Sequence, residues 1–186
     1  MRARPVPARP GAAGVEDRLG QILRVDHAGE LAAVHIYRGH RAVFEAAGMN
    51  AAAERMGELE DHEATHLARF ENLLTERRVR PTLMAPVWRA AAFGLGVGAA
   101  LIGEKAAHAC TEAVESVIED HYAGQIAEIE AREPLLAAEL RAFRDDELAH
   151  REEALAEGAR QAPLHGVLTW MVRIGCRAAI AISERV

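Results

Sequence analysis

Apolar residues recur every three to four positions through most of this chain, the spacing that lines one face of an α-helix. The first stripe, Leu23, His27, Glu30, Val34, Tyr37 and Phe44, predicts a helix from near Asp17 to about Ala46. After Gly48-Met49-Asn50 a second, from about Ala52 to Arg77, carries Met56, Leu59, Glu63, His66, Phe70 and Leu74. Pro81 and Pro86 mark a connection. A third long stripe, Thr111, Val114, Glu115, Ile118, Tyr122 and Ile126, predicts a helix over roughly Glu104 to Ile129. Beyond a turn at Ala131 to Pro134, the stripe Leu136, Leu140, Phe143, Glu147, His150 and Ala154 predicts a helix to about Arg160.

Two further segments are apolar on most sides, residues 83–103 and 164–182. The uncharged core of the first, Ala90 to Gly103, reaches only about 21 Å as a helix, short of a ~30 Å hydrocarbon layer. A buried core helix, or one lying in a membrane interface, is expected there. In the second, Trp170, Arg173 and Arg177 share a stripe, which suggests packing on the bundle or contact with lipid, the arginines reaching toward headgroups. Residues 1–15 hold three of the seven prolines and read as a mobile tail, leaving 16–186 as one all-α domain.

Each of the four long stripes contains a glutamate. Glu63-Ala64-Thr65-His66 and Glu147-Leu148-Ala149-His150 set a carboxylate and an imidazole on one helix face. With 9 histidines in 186 residues, chance supplies roughly one such match, so placement carries the case. Residues level across an antiparallel hairpin are equidistant from its turn. Glu30 and Glu63 have their midpoint beside Gly48, and Glu115 and Glu147 have theirs at Ala131. Each hairpin therefore sets one lone glutamate level with one Glu-x-x-His, the arrangement of ferritin-like di-metal carboxylate bundles.

Four buried carboxylates repel unless cations neutralise them, and two divalent ions cancel four charges. Carboxylate oxygens with one imidazole per ion favour iron or manganese over a thiolate zinc site, and two irons side by side can reduce O2. The competing arrangement, a buried salt-bridge network, lacks partners because no Arg or Lys falls in the stripes around Glu63, Glu115 or Glu147. Asp146 is placed to hold one of the histidines, and His27 and His121 flank the site. His35, His40, His62, His108 and His165 read as ordinary surface or core residues.

Composition narrows the classes further. Hydrophobic residues at 50% exclude a disordered chain, and a net charge of −6 without a basic cluster argues against nucleic acid. Cys110 and Cys176 form no C-x-x-C pair, so a disulfide framework is not expected. The N-terminus lacks the apolar core of a secretory signal. Pro5, Pro7 and Pro10 would break the amphipathic helix of a mitochondrial presequence.

Several blocks are more specific than Glu-x-x-His. Arg24-Val25-Asp26-His27-Ala28-Gly29-Glu30, Arg78-Val79-Arg80-Pro81-Thr82, Ala109-Cys110-Thr111, Val114-Glu115, His121-Tyr122, Phe143-Arg144-Asp145, Gly175-Cys176-Arg177 and Ile182-Ser183-Glu184-Arg185 resemble the demethoxyubiquinone hydroxylases of ubiquinone biosynthesis. The resemblance spans about residues 20 to 186. It implies a ferritin-like four-helix bundle with two added apolar, membrane-interface helices. Its metal ligands fall on Glu30, Glu63, His66, Glu115, Glu147 and His150. The implied reaction is O2-dependent di-iron hydroxylation of the ring of a demethoxylated polyprenyl benzoquinol.

The same resemblance implies two iron ions, a His-Tyr pair beside them at His121 and Tyr122, and an external electron donor, NADH or a quinol, with Arg177 as a contact. It leaves room for a homo-oligomer and for quinone-biosynthesis partner proteins. The expected place is peripheral on the cytoplasmic side of a bacterial inner membrane, with the matrix side of the mitochondrial inner membrane as the alternative. Two positions depart from the family pattern, Leu31-Ala32-Ala33 after Glu30 and Ala181 where an aromatic is common; both bear on pocket shape. The rival readings are a ferroxidase or iron-storage bundle and a non-catalytic membrane-associated subunit of a biosynthetic complex.

Overall fold

The computed structural model describes residues 15–186, with side chains from Arg18 onward, and the tail expected over 1–15 lies outside them apart from Val15. Six α-helices follow one another, α1 Val15–Ala46, α2 Asn50–Glu76, α3 Ala85–Ile102, α4 Glu104–Ile129, α5 Pro134–Ala156 and α6 His165–Ser183, and no strand occurs among the described residues. The long stripes predict α1, α2 and α4 to within two residues at nearly every end. Pro86, expected in the connection, instead lies in the first turn of α3, where its missing N–H has no intrahelical role. Helix α5 stops at Ala156, earlier than expected. Gly158 then takes a left-handed conformation (φ 89°) and opens a single 3-10 turn, Ala159–Gln161.

α1 with α2, and α4 with α5, form two antiparallel hairpins whose backbones approach closely within each pair and little between them. The hairpins meet through long side chains. Arg69 of α2 and Arg77 just after it reach Glu139 of α5 and Glu133 just before it, while Arg55 reaches Glu153 further along. Apolar layers close the bundle above and below its middle. Ile22, Leu23, Phe70, Leu74, Ile126 and Leu140 pack at one end, and Phe44, Met56, Leu59 and Ala107 at the other. This is a ferritin-like bundle, with its middle layer left to polar side chains.

Helices α3 and α6 cover the α1–α4 side. α3 crosses α1 backbone to backbone at Gly39 and Gly96; a Cβ at Gly96 would stand 2.1 Å from the Ile36 carbonyl oxygen. Only 22% of either apolar helix is buried, so the expectation of a buried core helix for α3 does not hold. Leu83, Leu101, Val167 and Trp170 are 75%, 71%, 54% and 62% exposed, and they form outward apolar faces far beyond scattered surface residues. Of the two roles expected for the α6 arginines, Arg173 takes packing on the bundle and does not reach toward headgroups. It turns into the bundle, donating from Nε to Ser116 Oγ at 3.1 Å and from its guanidinium to Glu112 at 3.4 Å on α4. Glu112 also pairs with His165 at 2.6 Å, which fixes the start of α6 against α4.

Candidate metal centre

In the polar middle layer, the structure brings all six residues of the two expected carboxylate–imidazole sets together. Glu30, Glu63, His66 and Glu147 can each present one atom within 4.8 Å of the others, and so can Glu63, Glu115, Glu147 and His150. The two quartets share Glu63 and Glu147, which stand opposite each other on α2 and α5. Glu30 from α1 and Glu115 from α4 flank this pair. All six side chains are buried.

The oxygens divide by role. Tyr122 on α4 donates its hydroxyl to Glu30 Oε1, and Tyr37 on α1 donates to Glu115 Oε1 at 2.6 Å. Each tyrosine lies seven residues after the glutamate of its own helix and binds the glutamate of the other. The flanking glutamates thus keep one free oxygen each and the shared pair keep two each. Those six oxygens, with His66 Nδ1 and His150 Nδ1, have no hydrogen-bond partner, although they are shut away from water. The two Nδ1 atoms lie 3.0–3.8 Å from neighbouring carboxylate oxygens.

So many orphaned buried acceptors facing one another are unfavourable unless cations fill the space. No Arg or Lys approaches any of the four glutamates within ion-pair distance among the described residues, which removes the salt-bridge arrangement. Without a cation the carboxyls resist ionisation. Burial, then the Glu147 charge, pushes both Glu63 and Glu115 well above the usual range, and burial lifts Glu147 to about 7. Burial pulls His66 down, but Glu147 and Glu30 outweigh it and raise the imidazole to about 10. A set of hard oxygens with one imidazole for each of two positions fits a pair of divalent ions, and the charges then cancel.

The outward nitrogens of both imidazoles are also engaged. His66 Nε2 lies 3.3 Å from Asp146 Oδ2, and His150 Nε2 lies 2.8 Å from His62 Nδ1. Asp146 and His62 occupy the same position in the two halves, immediately before the shared glutamates. His62, expected to be an ordinary residue, therefore belongs at this site. It was hidden because its position on α2 is on the half-exposed side of the stripe. Tyr37 holds a core position in the sequence pattern; its seven-residue offset from Glu30, repeated in Glu115 and Tyr122, is the signal of its second role.

On the α1–α4 side, the centre meets a cavity of about 370 Å³ enclosed by α1, α3, α4 and α6. Its walls are apolar, including Ile36, Leu95, Val114, Met171 and Val172, except at one end where Asp26, Glu30, His121 and Tyr122 gather. The Gln125 amide nitrogen donates to Asp26 Oδ1 at 2.6 Å and lies 2.8 Å from His121 Nε2. Burial raises Asp26 well above the carboxylate range, against the Gln125 hydrogen bond. Glu115 and Tyr37 are not among the lining residues, so only the Glu30–Tyr122 half opens to this space. The indole of Trp88 on α3 donates to Ser183 Oγ of α6 at 3.0 Å and joins the two covering helices. Arg177 is exposed on α6 and does not line the cavity, and His27 is buried on α1 outside both quartets.

The chain matches the family described as Ubiquinone biosynthesis protein COQ7 over residues 17–183. It is 45% identical over 181 residues to a 3-demethoxyubiquinol 3-hydroxylase of Rhodospirillum rubrum, covering 97% of this chain and 83% of that protein. It is 41% identical over 169 residues to the mitochondrial NADPH-dependent 3-demethoxyubiquinone 3-hydroxylase of Homo sapiens, covering 89% and 76%. The mitochondrial 5-demethoxyubiquinone hydroxylase of Saccharomyces cerevisiae is 38% identical over 190 residues, with 90% and 78% covered.

Proposed function

Because the chain belongs to the COQ7 family of ubiquinone biosynthesis proteins, we propose that its paired quartets hold two iron ions for the O2-dependent hydroxylation of a demethoxylated polyprenyl quinol. The protein is a hydroxylase of ubiquinone biosynthesis, as its named relatives are. The observation that carries the metal assignment is the set of orphaned, buried ligand atoms converging from four helices. Glu30 and His66 would hold one ion and Glu115 and His150 the other, with Glu63 and Glu147 common to both sets. Two irons held there would supply O2 activation, so that one oxygen atom could enter a ring C–H bond and the other leave as water with two electrons and two protons from a donor.

The chain's own side chains do the positioning. The quinol ring lies at the polar end of the cavity, beside Glu30 and Tyr122, and the polyprenyl tail follows the apolar walls between α3 and α6. Tyr122 keeps Glu30 oriented while forming part of the ring's seat. Asp26, whose protonated form burial favours, offers a proton to a ring oxygen, and His121, tied to the same Gln125 amide, faces it. The apolar covering excludes water from the reacting ring.

The outward faces of α3 and α6 rest in a membrane interface rather than span it, because both helices are bound side-on to α1 and α4. The cavity then opens where the tail resides. An iron-storage role has no use for such a cavity. Several relatives carry NADPH in their names; here the donor, NADH or a quinol, approaches from outside, with exposed Arg177 as its contact on α6.

Anaerobically iron-loaded protein given the demethoxylated quinol and 18O2 is expected to yield product with one labelled oxygen. Glu147→Ala should lose bound iron and product together. Full turnover by metal-free protein, or label arriving from water, would refute the assignment.

A further inference from the structure

The centre has a second approach, on the face opposite the cavity. There His62 and Asp146 stand in the seam between α2 and α5, with 43% and 44% of their side chains exposed. His62 Nε2 and Asp146 Oδ2 are 4.0 Å apart, and Asp146 Oδ2 is 3.3 Å from His66 Nε2. The His62 and His66 rings lie 4.8 Å apart, and His62, His66 and Asp146 can bring one ligand atom each within 4.8 Å of one another. This trio shares His66 with the buried quartets, through the ring's outer nitrogen, and also touches them where His62 Nδ1 lies 2.8 Å from His150 Nε2.

We propose that His62, Asp146 and His66 Nε2 form an entry site for a divalent cation, through which the buried centre is loaded from solvent. The proposal rests on the reading of the quartets as metal-binding. Two imidazoles and a carboxylate are a donor set for iron, manganese or cobalt ions. His62 and Asp146 are also the half-exposed groups that a hydrated cation can reach first, with buried His66 behind them. The other route, through the apolar cavity, would require the ion to shed its water with nothing to replace it.

His66 is the ring that links outside to inside. Its Nε2 faces the trio, and its Nδ1 faces the buried carboxylates without a hydrogen-bond partner. A neutral imidazole has a single lone pair, so a cation on Nε2 and one on Nδ1 exclude each other. Occupation of the outer site is therefore transient. As the cation passes inward to Nδ1, the ring proton ends on Nε2, where Asp146 accepts its hydrogen bond. No atom is lost or gained, and Asp146 serves first as ligand and then as anchor.

Cobalt(II) uptake by the metal-free full-length chain, followed anaerobically by stopped-flow absorbance, tests this, with His62→Gln and Asp146→Asn as variants. Helix content by circular dichroism checks that each is folded. The parent is expected to take up two ions. Both variants should still reach two, but load about tenfold more slowly and release the ions to a chelator about tenfold more slowly, since one port serves both directions. Unchanged loading would overturn the proposal, and so would faster release with normal loading, the mark of residues that only hold the ligands. Failure of the parent to bind two ions would overturn the centre and the port together.

Discussion

Stripped of metal, the folded chain should lose stability steadily between pH 7 and pH 9. Glu63 and Glu115 are held well above the carboxylate range by burial and then by the charge of Glu147, a shift that favours proton binding by the folded state. His66, lowered by burial but raised further by Glu147 and Glu30, titrates at about 10. In the unfolded chain, carboxyls release their protons near 4 and histidines near 6.5. The folded state thus binds more protons than the unfolded state, and stability falls as pH rises. Each retained proton contributes about 1.4 kcal/mol per pH unit, so His66 alone removes about 3 kcal/mol from pH 7 to 9. Glu63 and Glu115 add to the fall with the same sign. Glu147, at about 7, contributes mainly below the window. His40, driven down to about 3 by burial and His108, and His150, lowered chiefly by burial, act at lower pH and do not offset the slope. Such a loss is large beside a typical domain stability of roughly 5–15 kcal/mol. Urea unfolding followed by circular dichroism at pH 7, 8 and 9 measures it. With two divalent ions bound, the ligands are already deprotonated in the folded state, so their share of the slope should vanish and only that of groups outside the centre, such as buried Asp26, should remain. A flat profile for the metal-free chain, or an equal slope with and without metal, would refute the reasoning.

Two other changes probe the supports of the site. Gly96→Ala places a methyl group against the Ile36 carbonyl and must push α3 off α1, lowering stability by about 1–3 kcal/mol in thermal unfolding while iron content is retained. Tyr37→Phe leaves Glu115 Oε1 without its donor, about 1–3 kcal/mol, and should weaken cation binding in equilibrium titrations with little effect on the KM for quinol. Tyr122→Phe, whose hydroxyl also meets the cavity, should change both.

The helices and the four glutamates were legible because burial writes itself into the chain as periodicity, and hairpin geometry converts distance from a turn into height in the bundle. What escaped notice depends on pairs of elements. His62 lies off the core stripe and gains its meaning only when α5 brings His150 to it. Arg173 sits on an apolar helix whose pattern leaves packing and lipid contact both open; the partners that decide for packing, Glu112 and Ser116, come from α4. The crossing of α1 and α3 needs Gly39 and Gly96 together, and neither glycine alone marks a contact. Asp26 and Gln125 became visible as a polar end of the cavity only once α1 and α4 were set side by side.

The two hairpins repeat one device. Each supplies a glutamate followed seven residues later by a tyrosine, and a Glu-x-x-His one helix further on, and the tyrosines are exchanged between halves. Such symmetry by itself makes two equivalent ion positions. The surroundings break the equivalence. Only Glu30 and Tyr122 face the cavity, because α3 and α6 both lie on the α1–α4 side, whereas Glu115 and Tyr37 are sealed behind them. On the opposite face the residue before each shared glutamate differs between the halves, His62 against Asp146, and that difference converts two anchoring residues into a combined donor set open to water. The fold therefore separates its traffic. An apolar substrate can reach one half of the centre from the covered side without crossing charged surface, and a hydrated ion can reach the shared glutamates from the other without entering an apolar space.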